Sequence, residues 1–522
     1  MRWVLSAGLL LLVAAARDGD GCKDVKPDER APCGQLLDDD ATCTAKGCCF
    51  DNATKGAYPC FYRWVGSVPI KRVHIIQANH FDAGFANFTV NILNEYFDVF
   101  FPRAYALGLA LAARRGPEAL RWMTQSYVVW LYLNCPPGAG LHCPTPPAVA
   151  NFSAAVARGF ITWHAFPHNA ELELMHPWLI AAGVSVTHTL DARFGQPPKR
   201  TLSQRDVPGL TRAALPLLAA AGVAALSVGV NTASCPPSVP RAFVWRDAAT
   251  GVALPALWHP RGYGGLHAED AVVLPGLPDA LVFAWRGDNR GPPDSVEEVL
   301  GDFKAARALF PGADAAASTF DNFTALLTPT VLNALPTIDR EIGDTWLYGA
   351  PSDPQKLAMA RLAGAAAAAC VARGDCNASE PRFANFTAQL LKNGEHTWGL
   401  DTAVWLADWG NWTNDQLAAQ LAARNPRFMD MAASWAEQRA FGLEWPLEAL
   451  GDHPLAGDLR AAWAGVAAAV PASGQVEGIC EGTGIGENVA FYQARKTWWN
   501  ISSPGLGAVF RCAVAMEAYL SN

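Results

Sequence analysis

From Arg72 onward, short apolar runs alternate with longer segments of helical spacing. Arg72 to Asn79 (RVHIIQAN) is an apolar run ending in polar residues, the pattern of a buried parallel strand. Phe100 to Arg115 places apolar residues at helical spacing and stops at Gly116. Ser126 to Leu133 and Phe160 to Phe166 predict further strands. Ala214 to Ala221 predicts a helix leading into a strand over Val223 to Val230, and Asp279 to Trp285 predicts another strand. Repeated strand–helix alternation predicts an α/β domain with a parallel sheet or barrel. Past Pro351 the pattern changes. Residues 352–373 and 413–441 are Ala/Leu-rich with few breakers and predict long helices, a bundle packed beside the barrel. Between them lies Gly394 to Asp401 (GEHTWGLD), polar and aromatic, a loop composition that a packed domain keeps where it builds a site.

The N-terminal end follows neither pattern. Arg2, the apolar run Val4 to Val13 and Ala14-Ala15-Ala16 before Arg17 have the layout of a cleaved signal peptide over residues 1–16. That run is too short to anchor in a bilayer. Ala214 to Val230 is also too short, and the Ala-rich stretch near residue 365 is bounded by Arg361 and Arg373, so no transmembrane segment is expected.

Composition adds to this picture. The chain has 522 residues, enough for two to four domains, and is 51% hydrophobic. Net charge is −8, and no Lys/Arg run exceeds two residues, which argues against a nucleic-acid partner. The 13 cysteines suit an oxidising compartment. N-x-[ST] sequons stand at Asn52, Asn87, Asn151, Asn322, Asn377, Asn385, Asn411 and Asn500. With only 17% charged residues, attached sugars would supply part of the surface polarity. The expectation is a secreted or secretory-lumen glycoprotein, with export as the default because no retention tetrapeptide ends the chain.

Cys22, Cys33, Cys43, Cys48, Cys49 and Cys60 crowd into about forty polar residues, too few to fold on apolar burial alone. Six cysteines allow fifteen pairings, and spacing does not choose among them. Adjacent Cys48-Cys49 in an oxidising context disfavours a cysteine zinc site. The stretch Arg30-Ala-Pro-Cys33-Gly, then Ala41-Thr-Cys43-Thr-Ala-Lys-Gly47-Cys48-Cys49-Phe50-Asp, resembles a trefoil (P-type) domain over residues 22–61. That resemblance implies the pairs Cys22–Cys49, Cys33–Cys48 and Cys43–Cys60, and a module that binds glycans, precedes a glycosidase domain or serves as a structural cap. Outside it, proximity suggests Cys135–Cys143, Cys370–Cys376 and Cys480–Cys512, leaving Cys235 unpaired.

Chemistry-bearing residues gather at the C-terminal ends of the predicted strands, the edge where parallel α/β folds build sites. His80-Phe-Asp82-Ala-Gly84-Phe85 follows the first strand. Phe160 to Phe166 contains Trp163 and His164 and runs into His168, Asn169 and Glu171, and Arg286-Gly287-Asp288-Asn289 follows a third strand. In His80-x-Asp82 an imidazole and a carboxylate face the same side and can converge on one cation, while Gly84 lets the backbone turn closely.

The wider pattern resembles the family 38 glycoside hydrolases, the zinc-dependent α-mannosidases, over roughly residues 70–445. His80-Phe-Asp82-Ala-Gly84-Phe85 is similar to that family's opening H-x-D-x-G-[WF] motif, and Asp206-Val-Pro-Gly209-Leu-Thr211 to its second motif. Arg286-Gly287-Asp288-Asn289 and Phe310 to Phe323 resemble later segments, and His396 stands as the histidine near the bundle. Asp206-Val-Pro-Gly and Glu395-His-Thr-Trp-Gly-Leu-Asp are most similar to an uncharacterised branch related to the mannosidases. The chain departs from the family at Leu210, where a histidine is usual, and at Asn289, which stands at the second aspartate of the family's Gly-Asp-Asp run.

The resemblance implies zinc held by His80, Asp82, Asp206 and His396. It also implies Asp206 as nucleophile of a retaining glycosidase and Asp288 as its acid. Trp163, His164, Asn169, Trp346, Trp398, Asp401 and Trp405 are expected sugar contacts, on the argument that aromatic faces stack on sugar C–H surfaces. The expected organisation is a signal peptide (1–16), a disulfide-rich trefoil module (17–62) and a glycoside hydrolase/deacetylase-type β/α barrel (70–350). A helical bundle carrying the site loop (351–445) and a C-terminal segment (446–522) follow. Two other readings stay open. One is a metal-dependent carbohydrate deacetylase using metal-activated water, and the other a non-catalytic glycan-binding glycoprotein.

Overall fold

The computed structural model describes residues 22, 39–45, 48–54, 59–61, 68–207, 209–231, 239–259, 262–342, 353–406 and 413–469. The expected signal peptide, Trp346, Cys33, Cys235, Cys480, Cys512, Asn411 and Asn500 lie outside them. At the N-terminal end, a short helix over Asp40–Ala45 packs on an antiparallel pair, Cys49–Phe50 with Cys60–Phe61. Disulfides join Cys22 to Cys49 and Cys43 to Cys60, and Cys48 is also disulfide-bonded. The core here is little more than the cystines themselves, with Phe50 against them. Cross-links therefore do the holding.

Among the described residues, the large domain has eleven strands: β1 (Arg72–Asn79), β2 (Trp122–Thr124), β3 (Ile161–Trp163), β4 (Thr201–Asp206), β5 (Ala225–Val230), β6 (Ala242–Arg246), β7 (Ala253–His259), β8 (Val272–Val273), β9 (Asp279–Arg286), β10 (Asp314–Ala317) and β11 (Thr337–Ile338). One sheet runs β8-β9-β1-β2-β3, and β10 shares an edge of β1 with β2. The other runs β11-β6-β7-β5-β4. Pairing is parallel except at β8–β9 and β6–β7.

The expected barrel is not closed among the described residues. Where the sheets meet, single backbone bonds replace ladders: Ala165 N–H donates to the Thr201 carbonyl (2.9 Å) and Phe283 N–H to the Gly265 carbonyl (3.2 Å). β2 and β3 have three residues each, too few rungs to sustain a continuous wall.

Alternation along β1 sorts its side chains. Val73 and Ile75 join the large core beneath the helices, while Ile76 and Ala78 join a smaller core between the sheets with Leu257, Leu281 and Phe283. Even-numbered residues thus face inward, and this parity leads on to His80.

The helices include α1 (Phe101–Arg114), α2 (Ser126–Leu133), α3 (Pro177–Arg193), α4 (Ala214–Ala220), α5 (Val296–Leu309) and α6 (Phe320–Thr324). Two expectations fail here and further along. Ser126 to Leu133 is helix rather than strand. It is buried on almost every side, so its apolar run has no helical periodicity to read. The expected helix over 413–441 is two helices broken at Arg424, which sits in the left-handed region (φ 54°), with Asn425 capping the second and Pro426 opening it.

In the bundle, α7 (Pro354–Arg373) starts on an Asp353 cap and stops at left-handed Gly374. It is followed by α8 (Pro381–Leu390), α9 (Thr402–Trp405), α10 (Asn414–Ala422), α11 (Pro426–Arg439), α12 (Trp445–Leu450) and α13 (Pro454–Ala469). α12 packs on α8 and α13 on α7, so the helical layer continues past residue 445. Disulfides close Cys135–Cys143 and Cys370–Cys376, the two local pairs expected.

Candidate metal centre

The ends of β1 and β4, from the two sheets, and the loop after α8 bring four side chains together. His80, Asp82, Asp206 and His396 each present a ligand atom, all within 4.8 Å of one another and all buried. His80 Nε2 lies 2.9 Å from Asp82 Oδ1, 3.2 Å from His396 Nε2 and 3.9 Å from Asp206 Oδ2. His396 Nε2 lies 3.0 Å from Asp82 Oδ1 and 3.4 Å from Asp206 Oδ2. Ligands about 2.1 Å from a tetrahedral cation stand roughly 3.4 Å apart, so the spacing suits one ion. A further fit is Asp82 Oδ2, which is buried with no hydrogen-bond partner among the described residues. Such an oxygen is costly unless a cation satisfies it.

Burial disfavours the charged form of all four groups, but attraction to opposite charges wins, Glu395 acting most strongly on His396 and the cluster's own partners on the rest. The Asp82 and Asp206 carboxyls fall below their usual range, and the His80 and His396 imidazoles rise above theirs. Two imidazoles and two carboxylates form a donor set suited to a divalent metal ion, which would displace the imidazole protons on binding.

The neighbours aim these ligands. Asp206 closes β4 in the left-handed region (φ 81°), a strained backbone for a residue with a side chain. Its Oδ1 accepts from Tyr263 Oη and Asn231 Nδ2, both at 2.6 Å, leaving Oδ2 toward the histidines. The Tyr263 ring stacks on His80 at 4.8 Å. Glu395 Oε1 lies 3.0 Å from His396 Nδ1, which puts the proton there and directs Nε2 into the cluster. Lys392 Nζ and Thr397 Oγ1 donate to the buried Glu395 carboxylate at 2.9 and 2.8 Å.

Gly84 (φ 137°) is required at the turn. A Cβ there would stand 2.9 Å from both Gln438 Nε2 and Thr397 Cγ2. Phe85 N–H donates to the Gly399 carbonyl and Asp401 N–H to the Phe85 carbonyl, which lashes the His80 loop to the His396 loop.

The other expected site residues are placed as follows. Asp288 is exposed at the rim beside the cluster. Partial burial and then the charges of Asp82 and Asp206 push its carboxyl above the usual range. Asn289 is a brace, accepting from Asp82 N–H and donating to the Asp82 carbonyl, both at 3.1 Å. Asn169 lies behind the ligands rather than at the mouth. Its amide nitrogen is 3.2 Å from His80 Nδ1 and its oxygen accepts from Arg205 N–H. Trp163 faces the helical layer, with Nε1 donating to Asp191 on α3 (2.8 Å), because its place in β3 turns it outward. His164 Nδ1 accepts from the Phe166 and Ser203 amides, and burial drives its pKa down to about 3. His168 likewise falls to about 4, with Nε2 at the Leu391 carbonyl.

Asp401 caps α9 by accepting from Ala403 N–H. Trp405 meets Phe88 in a separate small core, and half-buried Trp398 lies under the Lys356 ammonium, 4.1 Å from its ring centre. Asn169, Trp163 and Asp401 thus each make a hydrogen bond that supports the fold. Sequence reasoning missed Tyr263, Asn231 and the role of Glu395. A tyrosine flanked by Gly262, Gly264 and Gly265 was a usable signal for the first, while Asn231 carried none.

Residues 22–63 match the trefoil (P-type) domain family and are a trefoil domain. Residues 350–503 match a family described as a domain of unknown function (DUF5054). No curated protein matches the chain. Among solved structures, the fold is similar to an alpha-mannosidase from Enterococcus faecalis V583, with TM-score 0.50 and 14% identity over 77% of this chain and 43% of that one. A protein in the glycosyl hydrolase family 38 from Enterococcus faecalis aligns with TM-score 0.41 and 12% identity over 74% of this chain and 40% of that one. This chain thus spans less than half the length of either. The first likeness shows the fold, a mixed α/β domain followed by helices.

Proposed function

We propose that this chain is a secreted, zinc-dependent, retaining glycoside hydrolase acting on α-mannosides or related glycans. The observation that carries the reading is the convergence of His80, Asp82, Asp206 and His396 on one point at the C-terminal edge of a parallel sheet. The motif resemblance to family 38 and the fold likeness to an alpha-mannosidase support the substrate class. The signal-peptide pattern, the sequons and the trefoil disulfides support secretion.

In this reading zinc, held by those four residues, supplies charge stabilisation and a template for sugar hydroxyls. The Asp206 carboxylate attacks the anomeric carbon as the glycosidic bond breaks, giving a glycosyl ester. Tyr263 and Asn231 keep that carboxylate ionised and aimed. Asp288, whose carboxyl is pushed above the usual range by partial burial and the Asp82 and Asp206 charges, gives its proton to the leaving oxygen. As a carboxylate it then takes a proton from the water that hydrolyses the ester, and both residues return to their starting forms.

Metal analysis of the purified protein, combined with a panel of aryl glycosides, tests this. One zinc per chain is expected, with aryl α-mannoside hydrolysis lost on chelation and restored by zinc. Protein that retains no metal and releases no sugar overturns the reading. Acetate release without aglycone release replaces it with a deacetylase.

A further inference from the structure

A second carbohydrate-related feature lies at the opposite end of the strands. A cavity of about 140 Å³ is lined by Arg121, Trp163, Gln196, Lys199, Asp321 and Asn322, among others. Arg121 precedes β2, Lys199 precedes β4 and Asn322 lies in α6, so the cavity adjoins strand N-termini, whereas the metal ligands follow strand C-termini. Asn322 opens the sequon Asn322-Phe323-Thr324. We propose that Asn322 carries an N-linked glycan whose first sugar seats in this cavity.

Three observations support the seat. Asn322 is exposed yet is itself part of the wall, so a sugar on its amide begins inside the cavity. The half-buried Arg121 guanidinium has no carboxylate in ion-pair range among the described residues, and burial lowers its pKa. Its N–H groups suit the acetamido carbonyl and hydroxyls of an N-acetylhexosamine. The half-buried Gln196 amide, also in the wall, adds further donors and an acceptor for sugar hydroxyls.

Size limits the occupant. By this measure one water needs about 10–15 Å³, so the cavity holds on the order of ten water-sized groups. That is room for one pyranose, with the rest of the glycan outside.

The sequon is also held in place. Thr324 Oγ1 lies 2.8 Å from Thr201 Oγ1, and the Asp321 carboxylate accepts from the Arg200 and Thr201 amides at the start of β4. Asn151 and Asn377 are exposed on the surface and are not part of this cavity's wall. The first sugar therefore adds a contact between α6 and the bases of β2 to β4.

This rests on the secretory reading and not on the metal chemistry. The test uses full-length protein secreted from a eukaryotic host, with glycopeptides quantified site by site. Treatment of native protein with peptide:N-glycosidase should release the Asn322 glycan at least tenfold more slowly than those at Asn151 and Asn377. Denaturation should equalise the rates, and so should Arg121→Ala in native protein. Asn322→Gln should lower Tm more than Asn151→Gln. An unmodified Asn322 beside occupied sequons, or native release as fast as at Asn151, overturns the proposal alone. Absence of glycan at every sequon overturns the secretory reading with it.

Discussion

Strand β1 carries a buried histidine at each end, and they have opposite characters. His74 and His80 share the inward parity of the strand and stand about 20 Å apart along it. At His74 each ring nitrogen has a partner: Ser318 Oγ at 2.8 Å from Nδ1 and Asp279 Oδ1 at 2.9 Å from Nε2. These bonds tie β1 to β9 and to the end of β10, and they use both ring nitrogens. At His80 the imidazole faces a second imidazole at 3.2 Å, Asp82 Oδ2 has no hydrogen-bond partner among the described residues, and Asp206 sits in left-handed backbone. Residue types are nearly the same at the two ends. The difference is hydrogen-bond satisfaction: a filled network is a clasp, and one with ligand atoms to spare is a site.

The largest separation between the ends should come from Asp206→Asn. The amide still offers an oxygen to a cation but forms no competent glycosyl ester, so kcat should fall by about a thousandfold or more. His74→Ala should leave turnover per folded molecule unchanged. Wild-type rates from Asp206→Asn on an activated mannoside would end the nucleophile assignment.

Next comes Glu395→Gln, which removes the carboxylate that orients His396. Zinc affinity measured by calorimetric titration should drop about 10–100-fold. An equal drop in Ser318→Ala would erase the distinction between the two ends.

Asp288→Asn should act through pH. The raised carboxyl pKa keeps the acid form populated at low pH. That form is lost as pH rises through the raised pKa, so kcat/KM should fall on the alkaline side. In the variant this limb should flatten, and the remaining rate should depend steeply on the leaving group. An unchanged alkaline limb would place the acid elsewhere.

The smallest effect should come from His74→Ala itself. Leaving Ser318 and Asp279 without their partner should cost about 1–3 kcal/mol, read as a lower Tm, with one zinc per chain retained. Loss of zinc from this variant would show that the clasp also shapes the site.

Legibility in the sequence followed the range of the interactions involved. β1 was readable because eight residues alternate between two cores and end at a polar turn. The H-x-D pair was readable because both ligands come from one turn. α2 was misread because a helix buried on nearly all sides shows no polar face. The supporting bonds of Asn169 and Asp401 were not readable because a polar residue near a site looks the same whether it touches substrate or supports a ligand loop. Barrel closure was not readable, since it depends on how many rungs neighbouring strands share, and strand lengths of three residues are not encoded in apolar patterning.

By itself the sequence determined what short-range physics decides: the strand and helix positions of the strongest runs, the cross-linked N-terminal module, and the local cystines Cys135–Cys143 and Cys370–Cys376, whose partners are close along the chain. Tertiary structure alone decided that His80 and His396, 316 residues apart, meet at 3.2 Å, and that Tyr263 and Asn231 close on the same Asp206 oxygen. It also decided which buried histidine is left with an unsatisfied carboxylate beside it. The physical reason is that a side chain's donors and acceptors are written in its residue type. Its desolvation and its partners come from distant segments that packing brings together.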